Sequence, residues 1–531
     1  MRDLGFGPAS VSGRPFPGDG IVIMSLRSKM LHSVALAGAL AVLPTTPGWS
    51  QTLQEALAAA YSGNPRLLAA RAAARAVDEN VPQALSGWRP TVVIAAGAGY
   101  SDTTTRNQAT VPLQRDAFGN VANAGTAGTP FSLFTDSPRG TGTLQATVTQ
   151  PIYRGGRTTA QTRRAENQVY AQRARLLISE QEVLFESVRA YVFFIRDQEE
   201  VRLNTNNVQV LQRQLQATNE RFRVGEITRT DVAQAESRLA LARFQLDQAQ
   251  GVAQSSRANF IRWTGLEPVR VIAPPPLAAP VRSQQEAVRF AIDNNPTVVA
   301  TVFDESAARD LIDVQFAALM PQVTANASAF RLDNNTTRGS RQTGAQVTMN
   351  LNVPLYQGGA EHALVRQARQ QAQQARQQVA DSRRIAAQQA TEAWETLGSS
   401  RAQVESVRAQ IRAQEIALDG VQREAIVGSR TTLDVLNAEQ ELLQARVNLV
   451  RSLATLINAS YALANTMGRL TAQDLGLPVQ IYDPRNYYNA VRGRWFGTGD
   501  FSEGAGGAQP PAGVVQVQTL TPATTPARRN P

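Results

Sequence analysis

The strongest constraint on this chain is that it is written twice. Asn64-Pro65 returns as Asn295-Pro296 and Pro90 as Pro321, at one offset (295 − 64 and 321 − 90 are both 231). Pro151 returns as Pro354, Tyr153 as Tyr356, Gly155-Gly156 as Gly358-Gly359, Val224-Gly225 as Val427-Gly428, Asp231 as Asp434 and Gly265 as Gly468. All of these share a second offset (354 − 151 and 468 − 265 are both 203). Over a hundred residues therefore align without a gap, and a duplicated chain is built from two copies of one structural unit. The offset changes between Pro90 and Pro151, so the Gly/Asn/Thr-rich stretch 102–141 reads as a long loop. Its counterpart, 332–342, reads as a short one.

Each unit carries the order helix, strand, loop, strand, very long helix, turn, helix. The spans 157–224 and 360–427 contain no proline, and at 1.5 Å per residue each can run about 100 Å. Apolar residues recur every seven positions: Val201, Val208, Leu215 and Phe222, echoed by Val404, Ile411, Leu418 and Ala425. The returning helices repeat the pattern at Val232, Leu239, Leu246 and Ala253, and at Val435, Leu442, Leu449 and Leu456. A seven-residue repeat supercoils helices left-handedly around neighbours. Strands are expected at 91–101, 143–150, 322–329 and 345–352. In the last three, Leu144, Ala146 and Val148, then Val323, Ala325 and Ala327, then Val347, Met349 and Leu351 alternate with Gln, Thr, Asn and Ser. Apolar on one face and polar on the other suits a membrane β-barrel strand, and equally a half-exposed soluble sheet.

A membrane barrel needs at least about eight strands, and an open sheet edge in lipid leaves backbone groups unpaired. Four strands per chain therefore require several copies. Strand number alone allows two copies or three.

The leader points the same way. The stretch from Met24 to His32 is short and basic, residues 33–43 are apolar, and Gly48 and Ser50 precede Gln51. This is the pattern of a secretory signal peptide cut near Ser50, with 1–23 an upstream extension. No run of about 20 apolar residues follows that could span a membrane as a helix.

Composition excludes most chemistry. The chain has no cysteine and two histidines, His32 in the leader and His362. Thiol, zinc–thiolate and His-triad sites are thereby removed, and no catalytic residue, metal or cofactor is expected. The net charge of +10 comes almost wholly from arginines scattered among Glu and Gln. They read as solvated helix faces, not as a nucleic-acid footprint. Glu180, Glu182, Glu186, Glu199 and Glu200 are read in the same way. Tyr153, Tyr356 and Phe330, at strand ends, suit a membrane boundary.

The Asn-Pro helix starts, Gln150-Pro151-Ile152-Tyr153-Arg154-Gly155-Gly156 after a strand, the Val-Gly turns at 224 and 427 and the duplication resemble the TolC family of outer-membrane efflux proteins over 52–496. The segment from Leu470 through Tyr482, Asp483-Pro484 and Arg494-Trp495-Phe496 resembles its type I secretion branch. The resemblance implies a mainly helical fold with membrane β-structure. It implies a homotrimer whose 12-stranded barrel continues into a 12-helix periplasmic tunnel, set in outer-membrane lipid. It also implies a periplasmic adaptor and an inner-membrane ABC or proton-coupled pump as partners. A coiled-coil adaptor is the competing reading. On this pattern the parts are a leader (1–50), two repeats (51–270 and 271–470), an equatorial segment (471–497) and a disordered tail (498–531).

The resemblance also assigns residues. Val224, Gly225 and Thr228, with Val427, Gly428 and Thr431, form adaptor-docking hairpin tips, the threonines capping the returning helices. Arg430 latches the closed tip against Thr230 and Asp231 of a neighbouring hairpin, although Ala425 stands where the family places a latch tyrosine. Asp434 forms an acidic ring at the entrance, and Asn437 replaces a second one. Pro151, Gly155, Gly156, Pro354, Gly358 and Gly359 make the strand-to-helix turns.

Overall fold

The computed structural model describes residues 51–120, 129–136, 138–278, 281–335 and 337–499. The expected leader, and the expected tail beyond residue 499, lie outside them.

The first half runs α1 (Leu53–Gly63), α2 (Pro65–Asp78), α3 (Asn80–Leu85), β1 (Thr91–Ser101), β2 (Thr104–Thr110), β3 (Pro130–Asp136), β4 (Arg139–Arg154), α4 (Arg157–Arg223) and α5 (Arg229–Thr264). The second runs α6 (Gln284–Asn294), α7 (Pro296–Phe316), β5 (Gln322–Asp333), β6 (Arg341–Asn352), α8 (Ala360–Ile426) and α9 (Thr432–Thr466), and α10 (Pro484–Arg492) follows. The Asn-Pro pairs have a defined task. Asn64 caps α2 by accepting from the Arg66 N–H and donates its amide to the Trp263 carbonyl at 3.0 Å. Asn295 does the same with Thr297 and Thr466, also at 3.0 Å. Each asparagine therefore starts one helix and ties it to the end of a returning helix, while proline occupies the first turn, where no N–H is needed.

The main sheet is antiparallel, in the order β1-β4-β5-β6. Its register sorts residues into rows. Val92, Val148, Ala327 and Val347 lie opposite one another, as do Ile94, Ala146, Ala329 and Ala345. The other face carries Thr91, Thr149, Asn326 and Thr348, then Val93, Thr147, Ser328 and Gln346. Directly opposed residues share a face, so one face is apolar and the other mostly polar. The apolar face is unburied in the protomer, with Ile94 72% and Val347 82% exposed.

Three expectations about the strands need correction. The stretch 102–141 is not one loop: β2 and β3 pair within it as a separate hairpin. Thr104-Thr105-Arg106-Asn107-Gln108-Ala109-Thr110 has no apolar alternation to reveal a strand, so backbone pairing alone defines it. The second-half strands extend to Asp333 and from Arg341, which shortens their loop. Phe330 is not a boundary aromatic: it is opposite Gln145 and Gly344 on the polar side, and a Cβ at Gly344 would meet its ring at 2.7 Å.

Tyr153 reaches the apolar face through a bulge. Pro151 pairs with Thr324, but Tyr153 pairs with Val323, leaving Ile152 as the extra residue. Without that insertion Tyr153 would fall in the polar rows, since a one-residue slip reverses the facing of a strand. Proline, which cannot donate to the ladder, sits where the ladder breaks.

The strands pass into the long helices through paired glycines. Gly155 and Gly156 have φ of +61° and +82°, and Gly358 and Gly359 +70° and +82°, a region costly to other residues. Helices α4 and α8 are each 67 residues long, about 100 Å. With α5 and α9 they form two hairpins. The largest apolar cluster joins α1, α2, α4, α5, α9 and the segment after α9, around the fully buried Tyr191, Phe260 and Leu470. In α4 and α8 burial thins toward the turns, while α5 and α9 keep Ala235, Val435 and Leu436 buried near theirs. No residue of α8 beyond Val404 is buried, and in α4 only Thr218 is buried beyond Leu211. Of the sevenfold positions, Val208, Leu239, Val404, Val435, Leu442 and Leu456 are buried, whereas Phe222 is 43% exposed.

Candidate functional site: hairpin tips and the channel wall

Both tips are built alike. Gly225 and Gly428 have φ of +80° and +81° and carry the chain out of the long helix. Thr228 and Thr431 then cap the returning helices with full capping boxes. The Asp231 carboxylate accepts from the Thr228 hydroxyl (2.7 Å) and N–H (3.0 Å). Asp434 does so with Thr431, at 2.8 and 3.0 Å. The Thr228 hydroxyl and N–H hold Asp231 below the ordinary carboxylate range. The Thr431 N–H and hydroxyl do the same for Asp434. Both are anions at neutral pH, each at a positive helix start.

An ion pair straddles each turn, with the charges exchanged between halves. Arg221 donates to Glu226 at 2.6 and 2.9 Å across the first turn. Across the second, Arg430 donates to Glu424 at 2.8 Å. Within the protomer, then, Arg430 is held by its own hairpin, and Thr230 lies exposed beside the capping box of the other. Val224 and Val427 are 77% and 78% exposed. Asn437 accepts from Arg238 at 2.8 Å, a tie between the two hairpins. The sequence gives no sign of this contact, because Arg238 and Asn437 are not equivalent positions of the repeat.

Further along the hairpins, a polar cleft of about 520 Å³ opens between α4, α5 and α9. Two carboxylates beside it are not simply solvated. Asp197 is buried (2% exposed) and accepts from Arg196 at 2.7 Å and from the Ser256 hydroxyl. Glu200, one of the glutamates read as solvated, accepts from Nε and Nη2 of Arg451 at 2.7 and 2.9 Å. Glu180 also departs from that reading: it accepts from the Ala472 N–H at 2.8 Å, and burial raises its pKa. The available signal was a break in the duplication, since Asp197 and Ser256 correspond to Ser400 and Ala459 (197 + 203 and 256 + 203).

A sheet with one apolar and one polar face, continuous with paired helical rods, is the architecture on which the comparisons bear. The profile of the family described as outer membrane efflux protein matches residues 56–266 and 287–469. The chain belongs to that family. It is 33% identical over 481 residues to the outer membrane efflux protein BepC of Brucella suis, covering 90% of this chain and 98% of BepC. It is 24% identical over 306 residues to the alkaline protease secretion protein AprF of Pseudomonas aeruginosa, covering 56% of this chain and 63% of AprF. The fold superposes on the CmeC outer membrane channel of Campylobacter jejuni with a TM-score of 0.67, at 14% identity over 83% of this chain and 89% of CmeC. The chain is thus an outer-membrane efflux channel protein of the TolC type, extending into the periplasm.

Proposed function

We propose that three copies of this chain form the exit duct of a tripartite export system. An inner-membrane pump and a periplasmic adaptor deliver cargo to its helical end. The observation that carries this reading is the four-stranded sheet with its free outer strands β1 and β6. One protomer cannot seal a wall against lipid, whereas three supply twelve strands, within the range of closed membrane barrels. Each β-strand pair continues through a glycine turn into a helical rod about 100 Å long, so the closed barrel extends as a helical tube. The coiled-coil adaptor reading is set aside, because this chain carries two hairpins and an amphipathic sheet and belongs to the channel family.

The tips act as the gate. Opening requires Arg430 to leave any contact with Thr230 and Asp231 of a neighbouring hairpin; its intrachain partner Glu424 offers the alternative seat. Asp434, ionised, supplies the acidic ring at the entrance, and adaptor contact centres on the exposed Val224-Gly225 and Val427-Gly428. The cargo reading includes secreted polypeptides as well as small toxic compounds, supported by the likeness to a protease secretion protein and to an efflux protein. Native mass spectrometry in detergent tests the assembly: a trimer is expected, and a monomer stable without amphiphile refutes it. Comparing the secretome with compound sensitivity in a deletion strain separates the two cargo classes.

A further inference from the structure

The two free edges of the sheet are related by the internal repeat, and the repeat dictates how they fit. Inside the chain, β4 of the first half pairs with β5 of the second, Val148 opposite Ala327 and Leu144 opposite Arg331. Carrying β4 forward to β6 and β5 back to β1 places Leu351 of one copy opposite Ala96 of the next (148 + 203 = 351 and 327 − 231 = 96). The same step places Val347 opposite Tyr100 (144 + 203 = 347 and 331 − 231 = 100). These residues all belong to the apolar rows of the sheet. A register one residue off would set apolar rows against polar ones, whereas the transferred register keeps the lipid face intact and repeats the pairing already present inside the chain. It also converts the bulge at Ile152 into one at Leu355 and sets Tyr356 opposite Val92 (153 + 203 = 356 and 323 − 231 = 92).

The protomer shows what the second copy of this contact is missing. β4 is paired through to Arg154, but β6 ends at Asn352, short of Gln357, the counterpart of Arg154. A Cβ on Gly155 would lie 2.5 Å from the Met320 Cβ, whereas a Cβ on Gly358 would meet nothing within 4 Å. Ile152 and Tyr153 are 50% and 46% exposed, but Leu355 and Tyr356 are 90% and 81% exposed. The first turn is covered by the second half of its own chain. The second turn has the same shape and lacks that cover.

The residue corresponding to Met320 is Arg89 (320 − 231 = 89), and Arg89 carries a further element. Its guanidinium donates to the Arg494 carbonyl at 2.5 Å and lies 5.0 Å from the centre of the Trp495 ring. The C-terminal segment reaches this point by climbing from the helical middle to the strand ends. Tyr482 N–H donates to the Tyr61 hydroxyl, Tyr487 to Glu79, and Arg492 to Glu166. Trp495 and Phe496, at its end, are 64% and 90% exposed. Only the first half offers this seat, because methionine replaces the arginine in the second.

We propose that Trp495 and Phe496 seal the subunit seam at the barrel rim by packing on Leu355 and Tyr356 of the adjoining copy of this chain, the one whose β6 lies against their own β1. The inference rests on the oligomeric duct proposed above and deepens it. The partner is a second copy rather than lipid because the repeat already shows protein covering the equivalent turn. Four large apolar side chains at one rim, each mostly exposed in the protomer, are then buried together, and the Arg89–Trp495 stack holds the segment over the seam.

The chain has no cysteine, so cross-linking in isolated outer membranes reads the contact without background. Val92→Cys combined with Tyr356→Cys reports the seam register. Trp495→Cys combined with Leu355→Cys, and Phe496→Cys combined with Tyr356→Cys, report the clasp through a short bismaleimide. Covalent dimers and trimers are expected from all three pairs and from none of the single variants. Co-expressing Trp495→Cys with Leu355→Cys chains should give dimers and no larger species. If the seam pair links while both clasp pairs stay monomeric, the clasp is overturned and the oligomer stands. If no pair links although unheated gels show the assembled oligomer, the register and the clasp are both overturned. Strong quenching of a fluorophore on Phe496→Cys by brominated phospholipid, without cross-linking, assigns the segment to the bilayer and likewise overturns the proposal.

Discussion

Asp78 offers a measurable handle on the helical belt below the barrel. It ends α2, is 3% exposed, and burial raises its pKa to about 6 against the pull of Arg173. Its unfolded value is 3.8, so this carboxyl is raised rather than depressed, and the sign follows from that. Below both values the group is neutral in either state and pH has no leverage. Between them the unfolded chain ionises first, and stability falls as pH rises. Above about pH 7 the full penalty applies, and a shift of roughly two pKa units amounts to about 3 kcal/mol per protomer. Roughly half of this, about 1.5 kcal/mol, is lost between about pH 5 and about pH 8. Asp78→Asn keeps the shape and removes the titration. The variant should match the parent near pH 4 and exceed it at pH 8, with a flatter profile. The assay is denaturant-induced unfolding of the detergent-solubilised protein across that range, read by tryptophan fluorescence. Equal pH slopes for the parent and Asp78→Asn would refute the argument.

The rim and the tips give further tests. Gly155→Ala meets both a positive φ and the Met320 side chain and Ala317 carbonyl, whereas Gly156→Ala meets only the conformational cost, about 1–2 kcal/mol. The fraction recovered as assembled protein should therefore fall much further for Gly155→Ala. Arg430→Ala should raise the conductance of the closed state in planar bilayers, and an unchanged closed conductance would remove the latch. Asp434→Asn should abolish block by trivalent cations, while Asn437→Asp should not add a second blocking ring, because the new carboxylate pairs with Arg238. Thr431→Val removes an N-cap worth about 1 kcal/mol and should speed amide exchange in the first turn of α9.

Much of the fold was legible because repetition and periodicity are local signals. The duplication located the Asn-Pro helix starts, the glycine turns and the capped tips, and the absence of proline marked both 67-residue helices. What stayed hidden depends on three-dimensional pairing. The hairpin β2–β3 has no alternation to read. The facing of Tyr153 depends on one unpaired residue, Ile152. Glu180 and Glu200 look like surface charges until Ala472 and Arg451, far along the chain, are brought against them. At the tips, the family resemblance implied a latch but could not show that Arg430 already has Glu424 within reach.

The thinning of burial along the long helices bears on how such a tube can open at all. Beyond Val404, α8 has no buried side chain, and the remaining 22 residues (426 − 404) span about 33 Å at 1.5 Å each. The returning helices α5 and α9 keep Ala235, Leu239, Val435 and Leu436 buried close to the turns, so the long helix is the thinly packed member of each hairpin. Its far end can swing while the packed root around Tyr191 and Phe260 keeps its shape. Dilation of the entrance then works against the small apolar cluster of Val208, Leu211, Leu239, Ala242 and Leu436 as well as against the polar contacts near the turns.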